Sequence, residues 1–275
     1  TARRDMIASL HLDCPREEAR IVAFLRQQLA EAGFSRFVLG LSGGVDSALV
    51  AALAAEAIGP ENVHAVIMPY RTSNPESASH ARLMAEQLGL PWELRDISAI
   101  ADAVIAGDPT MDDRRKGNIM ARSRMVVLFD CAARLNAIVA GTSNRTESLL
   151  GYFTIHGDGA CALRPIAHLY KCQVKALAGH MGVPDDILRK APSADLWQGQ
   201  TDEGELGFTY DEADQIIFLL TERGLGEDAI VAQGFRRDTI RSIVRRMRLS
   251  AFKLCQPPTL SVEGRVHPRT GDSHA

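Results

Sequence analysis

Two features are missing from this sequence: it has no run of about eighteen uncharged apolar residues, the length that spans a membrane, and no C-x-x-C pair among its five cysteines. An odd number of unpaired cysteines argues against a disulfide framework, a zinc ribbon or a dithiol redox centre. The first residues also lack the apolar segment of a signal peptide. These absences predict a soluble protein of the reducing cytoplasm that does not contact a membrane.

An excess of one charge is missing as well. The 275 residues include 31 Lys and Arg against 34 Asp and Glu, a formal net charge of −3. Proteins that bind nucleic acids through a global electrostatic field carry a large positive excess, so we expect no nucleic-acid partner. Because 46% of the residues are apolar, the chain can bury a full-sized core. We predict one domain over residues 1–258, followed by a polar tail over 259–275.

Short apolar runs alternate with helical patterns in the first half of the chain. Strands are predicted at 37–41, 63–68, 92–97 and 137–141. Helices are predicted at 16–32, 47–58, 75–88 and 118–135. Strands that are apolar throughout are typical of a parallel sheet buried on both faces, so the pattern predicts an α/β fold with helices on both sides of the sheet. A C-terminal helical portion follows, with helices predicted at 170–181, 211–222, 227–233 and 236–249.

A glycine-rich segment joins the first strand to its helix. Paired glycines let the backbone turn tightly, and serine hydroxyls with the free amides of a helix start form an anion nest. The segment lacks the lysine of a Walker loop and the spacing of the dinucleotide fingerprint. It predicts a phosphate-binding loop, with a simple glycine turn and helix cap as the alternative. Its residues are Gly40, Leu41, Ser42, Gly43, Gly44, Val45, Asp46 and Ser47.

The acidic residue of this loop, Asp46, would repel a phosphate unless a cation lay between them. We therefore predict that Asp46 is a magnesium ligand. The alternative is a carboxylate that only stabilises the helix N-terminus.

The loop resembles the pyrophosphate-binding loop of the ATP pyrophosphatase (PP-loop) superfamily, and further segments are similar to the ammonia-dependent NAD⁺ synthetases. The resemblance runs from about Arg20 to Pro258. It implies a ligase that adenylates the nicotinate carboxylate of deamido-NAD⁺ with ATP and then replaces AMP with ammonia, which is free or comes from a separate protein. The further segments are Gly117–Met125, Gly141–Glu147, Gly151–Gly159, Leu169–Lys171 and Pro192–Gly207.

The resemblance also implies roles for single residues. Thr142, Lys171 and Ser193 match ATP contacts, Glu147 matches a second magnesium position, and Asp158 matches an aspartate that takes a proton from ammonium. Without the resemblance, Glu147 has the spacing of a helix capping box after Asn144, and Asp158 is equally well a turn residue. The catalytic set is then Asp46, Asp158 and Lys171. The substrate-binding set is Asn118, Arg122, His156 and Lys253.

Positions four apart on a helix share a face, so Asn118 and Arg122 are expected to hold a polar ligand together. Arg124 is expected to point elsewhere. The segment 197–207 carries three acidic residues among glycines and is interpreted as a mobile lid that excludes water, or else as an acidic surface loop. Apolar helices at 16–29 and 118–135 would form the interface of the homodimer that the resemblance implies.

Three positions depart from the resemblance. Many members have lysine, aspartate and histidine where this chain has Ile155, Ala162 and Phe252. We expect a redrawn dinucleotide pocket, with His156 or Arg164 as replacement donors, although a turn histidine bonded to backbone is an alternative for His156. A different carboxylic acid is the alternative for the substrate.

A tRNA-modifying PP-loop enzyme is the rival class, and its only support is the basic segment 236–248. Apolar residues recur at helical spacing within that segment, which favours a packed helix with a solvated or dimer-facing cationic side.

Overall fold

Four parallel strands form the central sheet, in the order β3-β2-β1-β4. The computed structural model describes residues 10–197 and 199–259. Phe37 on the central strand lies opposite Val63 on one side and Ile138 on the other. The predicted parallel α/β architecture is thus confirmed. The strands are β1 (Phe37–Gly40), β2 (Val63–Ile67), β3 (Trp92–Leu94) and β4 (Ile138–Val139).

Helices cover both faces of the sheet, as alternate residues of β1 show. Phe37 and Leu39 pack into the larger core on one face, and Val38 packs into a second core on the other. The first face is covered by α1 (Cys14–Glu31), α2 (Val45–Ile58), α3 (Pro75–Leu88) and α7 (Lys171–His180). The second face is covered by α4 (Ser98–Ile105) and α5 (Asp113–Leu135).

A third apolar cluster holds the helical portion together. Ile216, Ile240 and Ile243 are fully buried in it, and the basic segment is therefore a packed helix, as its apolar spacing predicts. On its exposed side Arg237 and Arg241 pair with Glu227. The helices are α6 (Arg145–Leu150), α8 (Asp185–Leu188), α9 (Asp202–Leu206), α10 (Tyr210–Thr221), α11 (Glu227–Val231) and α12 (Arg237–Ser250).

Several boundaries differ from the predicted ones. β3 ends at Leu94, three residues earlier than predicted, and α4 begins at Ser98, whose N–H donates to the Asp96 carboxylate at 2.7 Å. α5 begins five residues earlier than predicted, where Asp112 caps it by accepting from Arg115 N at 2.7 Å. The helices α4, α6, α8 and α9 are absent from the sequence prediction. Each has eight residues or fewer, too short for a clear 3.6-residue pattern.

The predicted polar tail lies outside the described residues except for Thr259. All five cysteines are free, in agreement with the expected absence of disulfides. Within residues 10–197 and 199–259, no helix combines the length and apolar character needed to cross a membrane.

Candidate active site

The carboxyl ends of the strands open into a cleft with a cavity of about 1310 Å³. Loops that follow parallel strands meet at this edge of a sheet, which is where α/β folds bind their ligands. Gly43 and two predicted substrate residues, Arg122 and His156, do not line the cavity. The predicted residues that line it are Gly40, Leu41, Ser42, Gly44, Val45, Asp46, Ser47, Asn118, Thr142, Glu147, Asp158, Lys171, Ser193 and Lys253.

The phosphate loop is closed by its own serines. The hydroxyls of Ser42 and Ser47 lie 3.0 Å apart, and Ser47 Oγ donates to Gly44 O at 3.0 Å. Gly43 has φ +76°, and a Cβ atom there would lie 2.2 Å from the carbonyl oxygen of Ser77 on α3. Only glycine fits that position. The loop therefore presents backbone amides at the start of α2, the arrangement that binds phosphate.

One buried lysine joins two carboxylates beside this loop. Lys171 Nζ lies 2.5 Å from Asp46 Oδ2 and 2.9 Å from Glu147 Oε1. Asn144 connects the same groups, since its amide donates to Asp46 Oδ1 at 2.8 Å and its carbonyl oxygen accepts from Glu147 N at 2.9 Å. Asn144 thus caps α6, but the Glu147 side chain extends toward Lys171 rather than back to the cap, so the reciprocal capping box does not form.

Burial controls the electrostatics of this cluster. Burial and, after it, repulsion by Asp46 raise the pKa of Glu147 to about 7, because the attraction of Lys171 only partly opposes them. Burial would lower the pKa of Lys171, but the attraction of Asp46 and Glu147 outweighs it, so the pKa lies above its usual value. Two carboxylates that converge on one positive charge beside a phosphate loop have the oxygen donors that a hard divalent cation takes. The residues present therefore fit such a cation.

Asp158 lies on the turn opposite the phosphate loop. Its Oδ1 accepts a hydrogen bond from Thr154 N at 2.8 Å. Asp158 lines the cavity, and desolvation of the carboxylate by the surrounding protein raises its pKa above the usual value, against the opposing hydrogen bond from Thr154 N. The local bond expected of a turn aspartate is thus present, and the carboxylate still reaches the cavity.

Asn118 and Arg122 both hydrogen-bond the turn that follows α6, in agreement with the shared helix face that their spacing predicts. Thr154 Oγ1 donates to Asn118 Oδ1 at 2.8 Å, and Arg122 Nη2 donates to Ile155 O at 3.3 Å. Asn118 lines the cavity and Arg122 does not. The neighbouring His156 is exposed with φ +58°.

The other candidate donors to a dinucleotide hold the backbone of this turn. Lys253 Nζ donates to Gly151 O and Phe153 O, both at 2.8 Å, and lies 5.1 Å from the Phe153 ring centre. Arg164 Nη2 donates to Gly159 O at 2.8 Å. Lys253 lines the cavity, whereas Arg164 does not.

Several residues of the segment interpreted as a lid line the cleft, and Asp202 anchors the segment to its surroundings. Asp202 is 5% exposed and accepts hydrogen bonds from Tyr152 Oη, Tyr210 Oη and Ala194 N, each at 3.1 Å. The alternative of an acidic surface loop is therefore wrong for Asp202. Ser193 faces the cavity while its hydroxyl donates to Gln200 O at 2.8 Å.

An aromatic ring that no sequence motif indicates also contacts the cluster. Tyr210 is 1% exposed, and its ring centre lies 5.0 Å from Lys171 Nζ. Its position at the start of α10 resembles an ordinary core residue, so the sequence contains no signal for this contact.

Arg124 was expected to point away from the site, and this expectation is wrong. Its side chain lines the cavity, and its Nε donates to Met68 O at 3.0 Å. Position 124 lies three residues after Ala121 and four before Leu128, both of which line the cavity, so the structure places the three side chains on one stripe of α5.

A second polar cluster, His64, Glu93 and Cys131, lies on the α5 face away from the cleft. Glu93 Oε1 is 3.2 Å from His64 Nε2, accepts from the Cys131 thiol at 3.2 Å and also pairs with Arg134. These neighbours already surround the oxygen that a metal would need, so the cluster is a hydrogen-bonded network.

A parallel sheet with a Ser-Gly-Gly phosphate loop at its carboxyl edge, and with carboxylates and a lysine beside that loop, defines a nucleotide-binding α/β enzyme of the PP-loop type. The family model described as NAD synthase matches residues 17–257. The chain belongs to the NAD synthase family.

Similar proteins agree with this assignment. The chain is 50% identical to the NH₃-dependent NAD⁺ synthetase of Trichlorobacter lovleyi, over 90% of this chain and 91% of that protein. Among solved structures, NMN synthetase from Francisella tularensis has a TM-score of 0.81 at 33% identity, covering 90% of this chain and 99% of that one. NH₃-dependent NAD synthetase from Campylobacter jejuni has a TM-score of 0.78 at 32% identity, covering 91% and 100%.

Proposed function

We propose that the chain converts deamido-NAD⁺ to NAD⁺ with ammonia and ATP, releasing AMP and pyrophosphate. The observation that carries this proposal is the convergence of Asp46, Glu147 and Lys171 beside the phosphate loop, in the same cavity as Asp158. The names of relatives that share about half of their residues with this chain support the same reaction.

Amidation needs an activated acid because a carboxylate is a poor acyl donor at neutral pH. In the first step a carboxylate oxygen bonds to the α-phosphorus of ATP, and pyrophosphate leaves with the electron pair of the broken bond. The amides of the phosphate loop bind the departing phosphates, and Lys171 supplies positive charge to them. Asp46 and Glu147 would hold a divalent cation, for which we propose Mg²⁺, whose charge neutralises the phosphates when it is bound.

In the second step, nitrogen attacks the acyl carbon and AMP leaves. Asp158 would accept a proton from ammonium, which frees the nitrogen lone pair for the attack. Ser193 and Asp202 line the same cavity and are held by hydrogen bonds, and we propose that they help to limit the access of water to the acyl-adenylate. Thr142 and Ser193 line the same cavity as candidate ATP contacts.

The side of the cleft at Lys253 is the proposed place of the acid substrate. Asn118 lines the same cavity as Lys253, and Arg122 hydrogen-bonds the turn that carries Ile155. Ile155 and Ala162 contribute backbone bonds rather than charges, since Ile155 O accepts from Arg122 and Ala162 N donates to Val139 O at 2.9 Å. Because these side chains are uncharged, a carboxylic acid other than deamido-NAD⁺ is the alternative substrate. The structural neighbour named NMN synthetase suggests nicotinate mononucleotide as that acid.

A substrate panel separates these acids. Purified protein is given ATP, Mg²⁺, ammonium and one acid at a time, either deamido-NAD⁺ or nicotinate mononucleotide, and pyrophosphate release is measured. We expect the higher kcat/KM with deamido-NAD⁺. A higher value with the mononucleotide would replace the substrate while keeping the chemistry, and release with neither acid would overturn the proposal.

We also propose that the enzyme works as a homodimer in the cytoplasm. Large apolar side chains remain exposed on the two helices expected at the interface: Phe24 on α1 (38%), and Val126 (52%) and Phe129 (42%) on α5. Five free cysteines suit a reducing compartment. Sedimentation equilibrium of the wild type and of Phe129→Glu tests the dimer. A dimer that the substitution leaves intact would exclude this face.

A further inference from the structure

The Arg124 guanidinium enters the cleft from α5 and has no role in the reaction as described so far. Ala121 and Leu128, three residues before it and four after it, line the same cavity. These spacings place all three side chains on one stripe of the helix. The position of the guanidinium therefore follows from the packing of α5 against the sheet.

One hydrogen bond fixes this side chain and leaves its outer end free. Nε donates to Met68 O at 3.0 Å. Neither Nη1 nor Nη2 donates to another residue in the part of the chain that the structure describes. Burial lowers the pKa of Arg124, and the more distant carboxylates of Asp195 and Asp158 only partly offset it, yet a guanidinium stays charged at neutral pH.

The two carboxylates that attract Arg124 are already engaged. Both oxygens of Asp195 lie 3.0 Å from Asn74 N, which donates to them. Asp158 Oδ1 accepts from Thr154 N. A fixed guanidinium with two free terminal nitrogens facing a cavity matches the paired oxygens of a phosphate.

Arg124 and Lys171 reach the carboxyl edge of the sheet from opposite faces. Lys171 begins α7, which packs in the core that contains Phe37, while Arg124 belongs to α5, which packs in the core that contains Val38. Lys171 lies beside the phosphate loop, and Arg124 lies beside the end of β2 and within electrostatic reach of Asp158. A phosphate chain in the cleft thus has one cation near the loop and another near the reacting acid.

We propose that the terminal nitrogens of Arg124 bind the α-phosphate of ATP and make Arg124 a catalytic residue of the adenylation step. The inference rests on the proposed function. In that step the carboxylate oxygen bonds to the α-phosphorus, the bond from phosphorus to the bridging oxygen breaks, and pyrophosphate leaves with the electron pair without any proton transfer. The guanidinium offsets the repulsion between the two anions and the charge that grows on the phosphoryl oxygens.

ATP–pyrophosphate exchange isolates this step, because it requires the acid and ATP but no ammonium. We expect Arg124→Ala to lower the maximal exchange rate by about 100-fold or more. Arg124→Lys should lower it by about 10-fold, since lysine keeps the charge but lacks the two terminal nitrogens that can donate side by side. The matched control is Arg115→Ala on the same helix, where the arginine pairs with Asp108 at the surface. It should leave the rate unchanged.

Two measurements keep the inference separate from the proposed function. Melting temperatures show whether Arg124→Ala destabilises the fold. If the exchange rate falls only in proportion to the fraction of folded protein that is lost, the role of Arg124 is overturned. An exchange rate within threefold of the wild type also overturns it. Calorimetric binding of α,β-methylene ATP needs no acid substrate, and Arg124→Ala should weaken it by about 10-fold or more. Unchanged binding contradicts the inference, even if no acid supports exchange and the proposed function itself fails.

Discussion

Lys171 Nζ lies 2.5 Å from Asp46 Oδ2, although 125 residues separate the two along the chain. The contact ties the start of α7 to the phosphate loop, and both partners are largely buried, with 4% and 17% of their side chains exposed. Because Glu147 contacts the same ammonium, one positive charge serves two carboxylates. One lysine charge does not neutralise two carboxylates, so the site can accept a cation that binds together with ATP.

Removing the lysine charge should therefore destabilise the protein unless a metal replaces it. We expect Lys171→Met to lower the free energy of unfolding by about 3–5 kcal/mol, the usual effect of leaving buried charges unpaired, and Mg²⁺ to restore part of this loss. Thermal unfolding with Mg²⁺ and with a chelator measures both effects. The control is Lys175→Met, one turn later on α7. A Lys171→Met protein as stable as the wild type without metal would contradict the role of the cluster.

Asp46→Asn should keep the fold and lose most of the turnover. Lys171 and Asn144 donate to different oxygens of Asp46, so asparagine keeps one of these two acceptors and loses the charge that would hold the cation. Since such a cation contributes several kcal/mol to phosphoryl transfer, we expect kcat to fall at least about 100-fold. Steady-state kinetics with circular dichroism as a folding check measures this. Full activity in the variant would refute the assignment of Asp46.

Two adjacent glycines of the phosphate loop should respond differently to alanine. At Gly43, with φ +76°, a Cβ atom would lie 2.2 Å from Ser77 O, whereas at Gly44 it would lie 3.4 Å from Ser42 Oγ. We expect Gly43→Ala to cost about 2 kcal/mol or more and Gly44→Ala less than about 1 kcal/mol. Urea unfolding of the two variants measures the difference. Equal losses would show that the close packing of the loop on α3 does not matter.

Asp158→Asn should separate the two half-reactions. The variant keeps an oxygen that accepts from Thr154 N, so the turn persists, but it cannot take a proton from ammonium. We expect ATP–pyrophosphate exchange near the wild-type rate and NAD⁺ formation reduced by about 100-fold or more. Equal loss in both assays would place Asp158 in the first step instead.

The same residue sets the sign of a pH effect. The pKa of Asp158 is raised, and the carboxylate accepts a proton only when ionised. The rate of amide formation should therefore fall as the pH decreases through a pKa above that of an ordinary aspartate, while the exchange rate should show no such decrease. The same decrease in both rates would contradict the assignment to Asp158.

The sequence predicted the parts of the molecule that depend on local patterns. The apolar runs located all four strands, and the glycine pair at 43–44 located the phosphate loop, because burial on both faces and tight turning restrict residue type at each position. The pairing of Asp46 with Lys171 and Glu147 was not predicted, since it depends on how three separate elements meet at the sheet edge.

Other features are not encoded by local spacing. Asp202 is an acidic residue among glycines and was interpreted as part of a mobile lid, but its carboxylate is buried and accepts hydrogen bonds from Tyr152 and from Tyr210 at the start of the next helix. Arg124 was expected to point elsewhere than Asn118 and Arg122, but its side chain lines the cavity.

Product analysis tests the central claim most directly. Wild-type protein with ATP, Mg²⁺, ammonium and deamido-NAD⁺ should release AMP and pyrophosphate in equal amounts and in step with NAD⁺, because the phosphate loop holds the two outer phosphates while the carboxylate attacks the α-phosphorus. Release of ADP and inorganic phosphate would contradict the account, since it would place the attack at the γ-phosphorus.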